Sequence, residues 1–308
     1  MTIGIVGGGM IGRSWAMHFA RLGRDVGLYD PDPAAGDRLA AELERTWPVL
    51  TRLGLRGAAS PGRIAFSPDL GHAIAGASTV IEAAPEDLNL KRATFAEIED
   101  AVDQDTLILS SSSSLMISDI RAECRHPARC LLAHPYNPPH LIPLVEVAGG
   151  DETDPFVARA MTFLRDAEKK PVLLRRELPG HLANRLASAL WREAVHLVAE
   201  GVASVADIDD AVRYGPGLRW AVMGPHMTYH LGGGAGGMAH YLDHLGPSQE
   251  RRWATLGAPA LTPEVRAMLI AGVADEAQGQ TIEELEARRD AALVALLADM
   301  ETWEGDGG

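Results

Sequence analysis

The chain lacks the features that would let it bind nucleic acid, cross a membrane or be held by covalent staples. Acidic residues outnumber basic ones by 42 to 28, for a formal net charge of −14. No basic stripe offsets that charge, which excludes a binder of phosphate backbones. Cysteine is nearly absent, with Cys124 and Cys130 the only two. They make neither a disulfide framework nor, by themselves, a zinc site. No metal is therefore expected, and the pair reads as reduced thiols in a cytoplasmic protein. No apolar run approaches the ~20 residues of a membrane span. Met1-Thr2 is followed at once by strand-like residues, with no basic n-region or cleavage site, so no secretory signal is expected. No internal repeat is present. What is there is an ordinary globular composition, 308 residues at 46% hydrophobic and 23% charged. That length gives one large domain or two modest ones around a substantial core.

The pattern divides near residue 178. Before it, short apolar runs alternate with amphipathic helical stretches: "IGIV", "VGLYD", "RIAF", "STVIEA", "TLILS", "RCLLAH", "PLVEV" and "PVLLR". Such alternation predicts βαβ units, hence a doubly wound, mostly parallel α/β sheet over residues 1–178. After Pro179-Gly180 the spacing becomes helical. "HLANRLASALWREAVHLVAEG" opens an all-α C-terminal domain over 179–308, with Gly201 as a C-cap. The last helix is expected over about 281–299, where Thr281 and Glu284 have capping-box spacing. The tail "EGDGG" is expected to be disordered.

"GIVGGGMIGRSWAMHFA" places Gly7, Gly9 and Gly12 in G-x-G-x-x-G between an apolar strand and a helix. The first glycine permits the tight turn. The second, flanked by Met10 and Ile11, removes a Cβ where a pyrophosphate would approach. The third lets helix pack on strand, and the helix N-terminus then faces the anion. Asp30 ends the second strand, where a carboxylate binds ribose hydroxyls and repels a 2′-phosphate. Strand, turn, helix and acid together point to NAD rather than NADP.

Ligands meet such sheets at the carboxyl ends of the strands. There the sequence places "EAAPED", then "SSSSL", then His134. "HPYNPPHLIPLVEV" sets Glu146 twelve residues after His134, across a proline-rich loop. Two readings stand on spacing alone. His134 is a satisfied core histidine and Glu146 a surface strand residue, or the two meet. A carboxylate beside an imidazole stabilises its protonated form, which suits a base taking a proton from an alcohol.

"GIVGGGMIG" with Asp30, "LNLKRATFAEI", "SSSSLMIS" followed by "HPYNPPHLIPLVEV", and "PGHLANRL" stand in an order that resembles the L-3-hydroxyacyl-CoA dehydrogenase superfamily over nearly the whole chain. The resemblance implies a Rossmann-type domain followed by a helical substrate and dimerisation domain. It implies NAD as cofactor, His134 as catalytic base and Glu146 as its partner. Ser113 and Asn184 would touch the reacting hydroxyl and the nicotinamide region. Glu86, Lys91 and Asn137 would lie along the cofactor. Read without it, Ser113 is a loop serine, Asn184 a helix N-terminal residue and Lys91 a solvated charge.

Residues 31–63 are short and contain no lysine, whereas fatty acyl-CoA relatives carry a long lysine-rich excursion there. Arg52, Arg56 and Arg63 are possible phosphate contacts or solvated charges. "RYGPGLRWAVMGPHMTYHLGGGAGGMAHYLDHLGPS" resembles the branch that oxidises small free 3-hydroxy acids, namely carnitine 3-dehydrogenases and the L-gulonate 3-dehydrogenase/lambda-crystallin group. "WPVLTRLGL" and the closing "TIEELEARRDAALVALL" are closer to the carnitine branch. Carnitine needs a cation for its carboxylate, for which Arg219 is the candidate. It also needs aromatic faces for its quaternary ammonium, for which Trp220, Tyr214, Tyr229, Tyr241 and Trp191 are candidates or else core residues. The expected activity is oxidation of the 3-hydroxyl of a free 3-hydroxy acid, with L-carnitine first and L-gulonate or 3-hydroxybutyryl-CoA as alternatives. A crystallin-like NAD-binding role is the non-enzymatic alternative, and a homodimer is expected.

Overall fold

A computed structural model of the chain describes residues 2–52 and 62–305, so Arg56 and the last three residues of the tail lie outside the described residues. The chain forms two units. The first is Met1–Arg185 with Asp290–Ala298, and the second is Leu186–Arg289 with Asp299–Gly308.

The first unit is built on a sheet whose central strands are buried end to end. These are β1 (Ile3–Val6), β4 (Thr79–Glu82), β5 (Leu107–Ser110) and β6 (Cys130–Pro135), with β2 (Val26–Tyr29), β3 (Ile64–Ser67), β7 (Leu144–Ala148) and β8 (Lys170–Leu173) outside them. Continuous apolar runs such as "IGIV" have no polar face to offer water, so helices cover both sides of the sheet. Those helices are α1 (Met10–Arg21), α2 (Ala35–Arg52), α3 (Leu70–Ile74), α4 (Leu88–Ala101), α5 (Ile117–Ile120) and α6 (Pro155–Arg165). One face packs Trp15 and Phe19 of α1 on Ile3, Ile5 and Leu109. The other packs Phe95 and Ile98 of α4 on Val80 and Ile108.

The strand order is β3-β2-β1-β4-β5-β6-β7-β8. All pairs are parallel except β6 with β7. The order reverses between β1 and β4, and that switch point opens a crevice at the strands' carboxyl ends. The one antiparallel pair matters most for the chemistry. It sets His134 directly opposite Glu146, and cross-strand partners project from the same face of a sheet.

The second unit is helical. After α7 (Ala183–Ala199) come α8 (Val205–Tyr214), α9 (Pro216–Val222), α10 (Pro225–Gly232), α11 (Gly237–Trp253), α12 (Pro263–Ala277) and α13 (Ile282–Gly305), of which Asp290–Ala298 counts with the first unit. Gly201 follows α7 at φ +66°, the left-handed stop its position predicts. Thr281 and Glu284 exchange hydrogen bonds of 2.8 and 3.2 Å, completing the capping box. The unit's buried apolar cluster is small: Val198, Val205 and Ile208, with Ala194, Leu197, Ala203 and Leu269 packed against it. Among the described residues no helix is long and apolar enough to cross a membrane.

Candidate active site

The glycine turn builds one wall of the crevice. Gly7 lies at φ +111°, and a Cβ there would sit 2.5 Å from the Ala83 carbonyl oxygen. At Gly12 a Cβ would sit 1.8 Å from the Gly7 carbonyl, so only glycine lets α1 come this close to β1. A Cβ on Gly9 would meet nothing within 4 Å. Gly9 is also the N-cap of α1, with no side-chain cap and no acidic residue in the first turn, so the helix offers its free N–H groups to an anion. Asp30 lines the same crevice. Its carboxylate accepts the Gly8 amide at 2.7 Å and the Asp32 amide at 2.9 Å. Asp30 therefore anchors the turn besides standing where a ribose would bind.

The crevice holds about 760 Å³, within the range of small-molecule and cofactor sites. Its lining runs from the glycine turn with Met10 and Ile11, over Ala83–Glu86 and Lys91, to Ser111, Ser113, His134–Asn137 and Asn184. An open approach at Gly9, an uncapped helix terminus and a carboxylate at the end of β2 fit a dinucleotide.

The floor carries a buried ionic network. Glu82, fully buried at the end of β4, accepts Lys91 Nζ at 2.6 Å, Ser110 Oγ at 2.6 Å and the Ala84 amide at 2.7 Å. Lys91, 1% exposed, also donates to the Ala84 carbonyl at 2.9 Å, so it is no solvated charge. Glu86 stands beside it, Oε2 lying 3.6 Å from Lys91 Nζ. Glu86 Oε1 accepts Ser112 Oγ at 2.6 Å, the Ser113 amide at 3.0 Å, and the Ser114 amide and hydroxyl at 2.7 and 2.8 Å. Burial pushes its carboxyl up, but these hydroxyls and amides and Lys91 outweigh burial and hold it down at about 2. Glu86 thus shapes the serine loop and keeps Ser113 at the crevice.

His134 and Glu146 meet. Nδ1 of His134 lies 2.9 Å from Glu146 Oε2, with both side chains buried. Glu146 Oε1 accepts the amides of Leu182 at 2.6 Å and Ala183 at 3.0 Å, where α7 begins. Burial raises the Glu146 carboxyl, but His134 and the two amides reverse this and leave it below the usual carboxylate range. A charged Glu146 accepts hydrogen bonds only, so the His134 proton sits on Nδ1 and Nε2 keeps its lone pair. Asn184, in the first turn of α7, lines the crevice.

Sequence reasoning assigned no role to Glu82, Ser110, Ser112 or His181. A glutamate inside "STVIEA" gives no sign that a lysine nine residues later will neutralise it. Glu99, Cys124 and Cys130 place ligand-type atoms within 4.8 Å of one another. The Glu99 carboxylate there is already engaged by the Arg125 and His126 amides and by Arg129. In the second unit, Arg219 and Trp220 are exposed on α9, and Tyr214 is exposed with the Arg213 guanidinium 5.1 Å from its ring centroid. Tyr229 and Tyr241 pair at 5.0 Å and 45°.

A dinucleotide crevice at the switch point of a doubly wound sheet, with an acid–base pair at its edge, defines an NAD-dependent oxidoreductase. Comparison with known proteins gives the family. Residues 2–178 match 3-hydroxyacyl-CoA dehydrogenase, NAD binding domain, and residues 180–275 match 3-hydroxyacyl-CoA dehydrogenase, C-terminal domain. The chain belongs to the 3-hydroxyacyl-CoA dehydrogenase family. It is 46% identical to L-carnitine dehydrogenase of Streptomyces coelicolor over 296 residues, 96% of this chain and 93% of that one. It is 42% identical to L-carnitine dehydrogenase of Pseudomonas aeruginosa over 297 residues, 96% of this chain and 92% of that one. Among solved structures it is similar to 5-formyl-3-hydroxy-2-methylpyridine 4-carboxylic acid 5-dehydrogenase, an NAD+ dependent dismutase. That match has a TM-score of 0.83 and 32% identity, and covers 97% of this chain and 98% of the other.

Proposed function

We propose that this enzyme oxidises the 3-hydroxyl of L-carnitine to the 3-ketone, with His134 as general base. The observation that carries the substrate is the 46% identity, over nearly the full length of both chains, to an L-carnitine dehydrogenase. The chemistry rests on the His134–Glu146 pair at the crevice.

NAD, when bound, accepts hydride from the carbinol carbon. His134 Nε2 takes the hydroxyl proton, and Glu146, held ionised by the α7 amides, offsets the charge that develops on the imidazole. Ser113 and the Asn184 amide bind the oxygen as it becomes a carbonyl. Glu86 and Lys91 keep the serine loop and the cofactor wall in place. Arg219 grips the substrate carboxylate as a bidentate partner, and Trp220, with Tyr214, offers an aromatic face to the trimethylammonium group. The helical part supplies these groups and pairs two copies of the chain.

The test is an initial-rate screen of NADH formation with L-carnitine, L-gulonate, 3-hydroxybutyrate and 3-hydroxybutyryl-CoA. Carnitine is expected to give the highest kcat/KM. Arg219→Met should raise KM for carnitine ~10-fold or more, the cost of a lost charged hydrogen bond. Trp220→Leu should hurt carnitine more than 3-hydroxybutyrate, which lacks the cation. A higher kcat/KM for 3-hydroxybutyryl-CoA than for any free acid would overturn the substrate class, and gulonate ahead of carnitine would overturn the cation site alone.

A further inference from the structure

The active site holds a second imidazole. The ring of His181 lies 5.0 Å from that of His134, centroid to centroid, tilted by 47°. His181 is 2% exposed and sits in the turn between Gly180 and α7 at φ +50°, a left-handed conformation that histidine rarely adopts. Its Nε2 lies 3.1 Å from the Ser112 carbonyl oxygen. A carbonyl only accepts, so the proton is on Nε2 and Nδ1 carries a lone pair. That Nδ1 is buried and has no hydrogen-bond partner among the described residues. The turn therefore joins two parts of the site. Leu182 and Ala183 donate to Glu146, and the residue just before them donates to the loop that carries Ser113.

We infer that His181 is a positioning residue, a neutral imidazole that ties the serine loop to the His134–Glu146 pair and leaves the proton of the reaction to His134 alone. The inference rests on His134 being the base. A second proton on His181 would go to Nδ1, which has no partner to donate to among the described residues, 5.0 Å between ring centroids from an imidazole that itself becomes cationic in the oxidation. Burial and then His134 disfavour that proton, and the Ser112 carbonyl, Glu146 and Glu86 favour it less strongly, so the balance leaves His181 below the ordinary histidine range. Two adjacent histidines of ordinary basicity would share the abstracted proton. The geometry gives them different duties, one bonded to a carboxylate and one to a carbonyl.

The direct test reads the wild-type protein. The wild-type protein with NAD bound, labelled with 15N at its histidines, is followed by NMR from pH 7 to 9, and His181→Gln assigns the signal. His181 is expected as the neutral Nε2–H tautomer throughout. An imidazolium signal, or the Nδ1–H tautomer, would overturn the inference. Kinetics supplies the second arm. His181→Phe keeps a ring but removes the donor, and should lower kcat ~10-fold, the scale of one buried hydrogen bond, with KM for NAD unchanged. His181→Gln, which still reaches the carbonyl, should recover most of that loss. The pH limbs of kcat/KM should stay in place in both variants. Equal loss in both, no loss in either, or a limb that vanishes with His181→Phe would each overturn the inference. Retained turnover in His134→Asn would end the reading of the base and leave the NMR result standing, so the two failures are distinguishable.

Discussion

Both oxygens of Glu146 are committed, Oε2 to His134 and Oε1 to two backbone amides. The amides hold the carboxylate ionised and fix its plane, and the carboxylate in turn fixes the His134 tautomer. Glu146→Gln keeps the shape but removes the charge and lets an amide N–H turn toward His134. The expected result is a fall in kcat on the order of 10² or more, because the lost stabilisation is greatest when the imidazole carries the proton. His134→Ala should lose turnover almost entirely. Neither change should alter NADH binding followed by fluorescence titration, since no hydrogen bond of the glycine turn runs through them. A fully active His134→Ala enzyme would mean that another group takes the proton. The oxidation releases a proton, so turnover in this direction should rise toward alkaline pH.

At the scale of elements, the loop 136–143 joins β6 to β7 and carries Asn137 into the crevice. It is held from below. Lys169, just before β8, donates to the carbonyls of Pro139 and, at 3.2 Å, Ile142, while its Nζ lies 5.3 Å from the Trp15 ring centroid. Ser14 of α1 accepts the His140 amide at 2.9 Å. Burial first, and then Arg21, push Lys169 down to about 7, with Glu168 opposing weakly. A lysine lowered from its unfolded value near 10.5 is neutral in the fold, and charged in the unfolded chain, between pH 7 and 10.5. The unfolded chain then holds the extra proton, so stability rises with pH across that window and the full penalty applies below it. Lys169→Met should remove one proton from this dependence, flattening unfolding free energy against pH by up to about 1.4 kcal/mol per unit between pH 7.5 and 9.5. Denaturant titrations of both proteins at those two pH values check it, and parallel slopes would refute it. Legibility in the sequence follows the same division. The glycine turn, its strand and Asp30 were readable because each is a local signal with a fixed period. The meeting of His134 and Glu146 stayed open on spacing alone, because it depends on the register that this loop imposes. Lys91 reads as a solvated charge in the sequence and Lys169 carries no signal there, since only the packed sheet brings Glu82 to one and the loop carbonyls to the other. His181 gave no signal, as nothing in "PGHLANRL" announces a left-handed histidine.

At the scale of the whole molecule, the second unit sets many exposed large apolar side chains around a cluster of three buried residues, among the described ones. On α12, Leu269 packs on the Val198–Val205–Ile208 cluster, and a Cβ on Gly272 would come 2.3 Å from Val205. Residues three apart share a helix face, so Leu269 and Gly272 define the inward side. Ile270 and Val273 define another, and both are exposed, Ile270 by 71%. Trp253 at the end of α11 is 63% exposed, and Leu218, Val222, Met227 and Leu231 are exposed on α9 and α10. Monomers rarely leave contiguous apolar patches larger than a few hundred Å² open. A second copy of the chain covers such faces symmetrically, as a closed two-fold interface uses the same patch on both partners. The enzyme is therefore expected to run as a homodimer in light scattering, at twice its 32.9 kDa chain mass, at micromolar concentration. Ile270→Asp would place a buried, unpaired carboxylate in that interface, a cost of several kcal/mol per copy that shifts the mass toward the monomer. The first unit should keep its cofactor crevice in that variant, since every residue lining it lies within residues 7–184. NADH binding should then persist while the dimer is lost. A wild-type monomer at micromolar concentration would overturn the expectation, and an undisturbed dimer in Ile270→Asp would move the interface off α12.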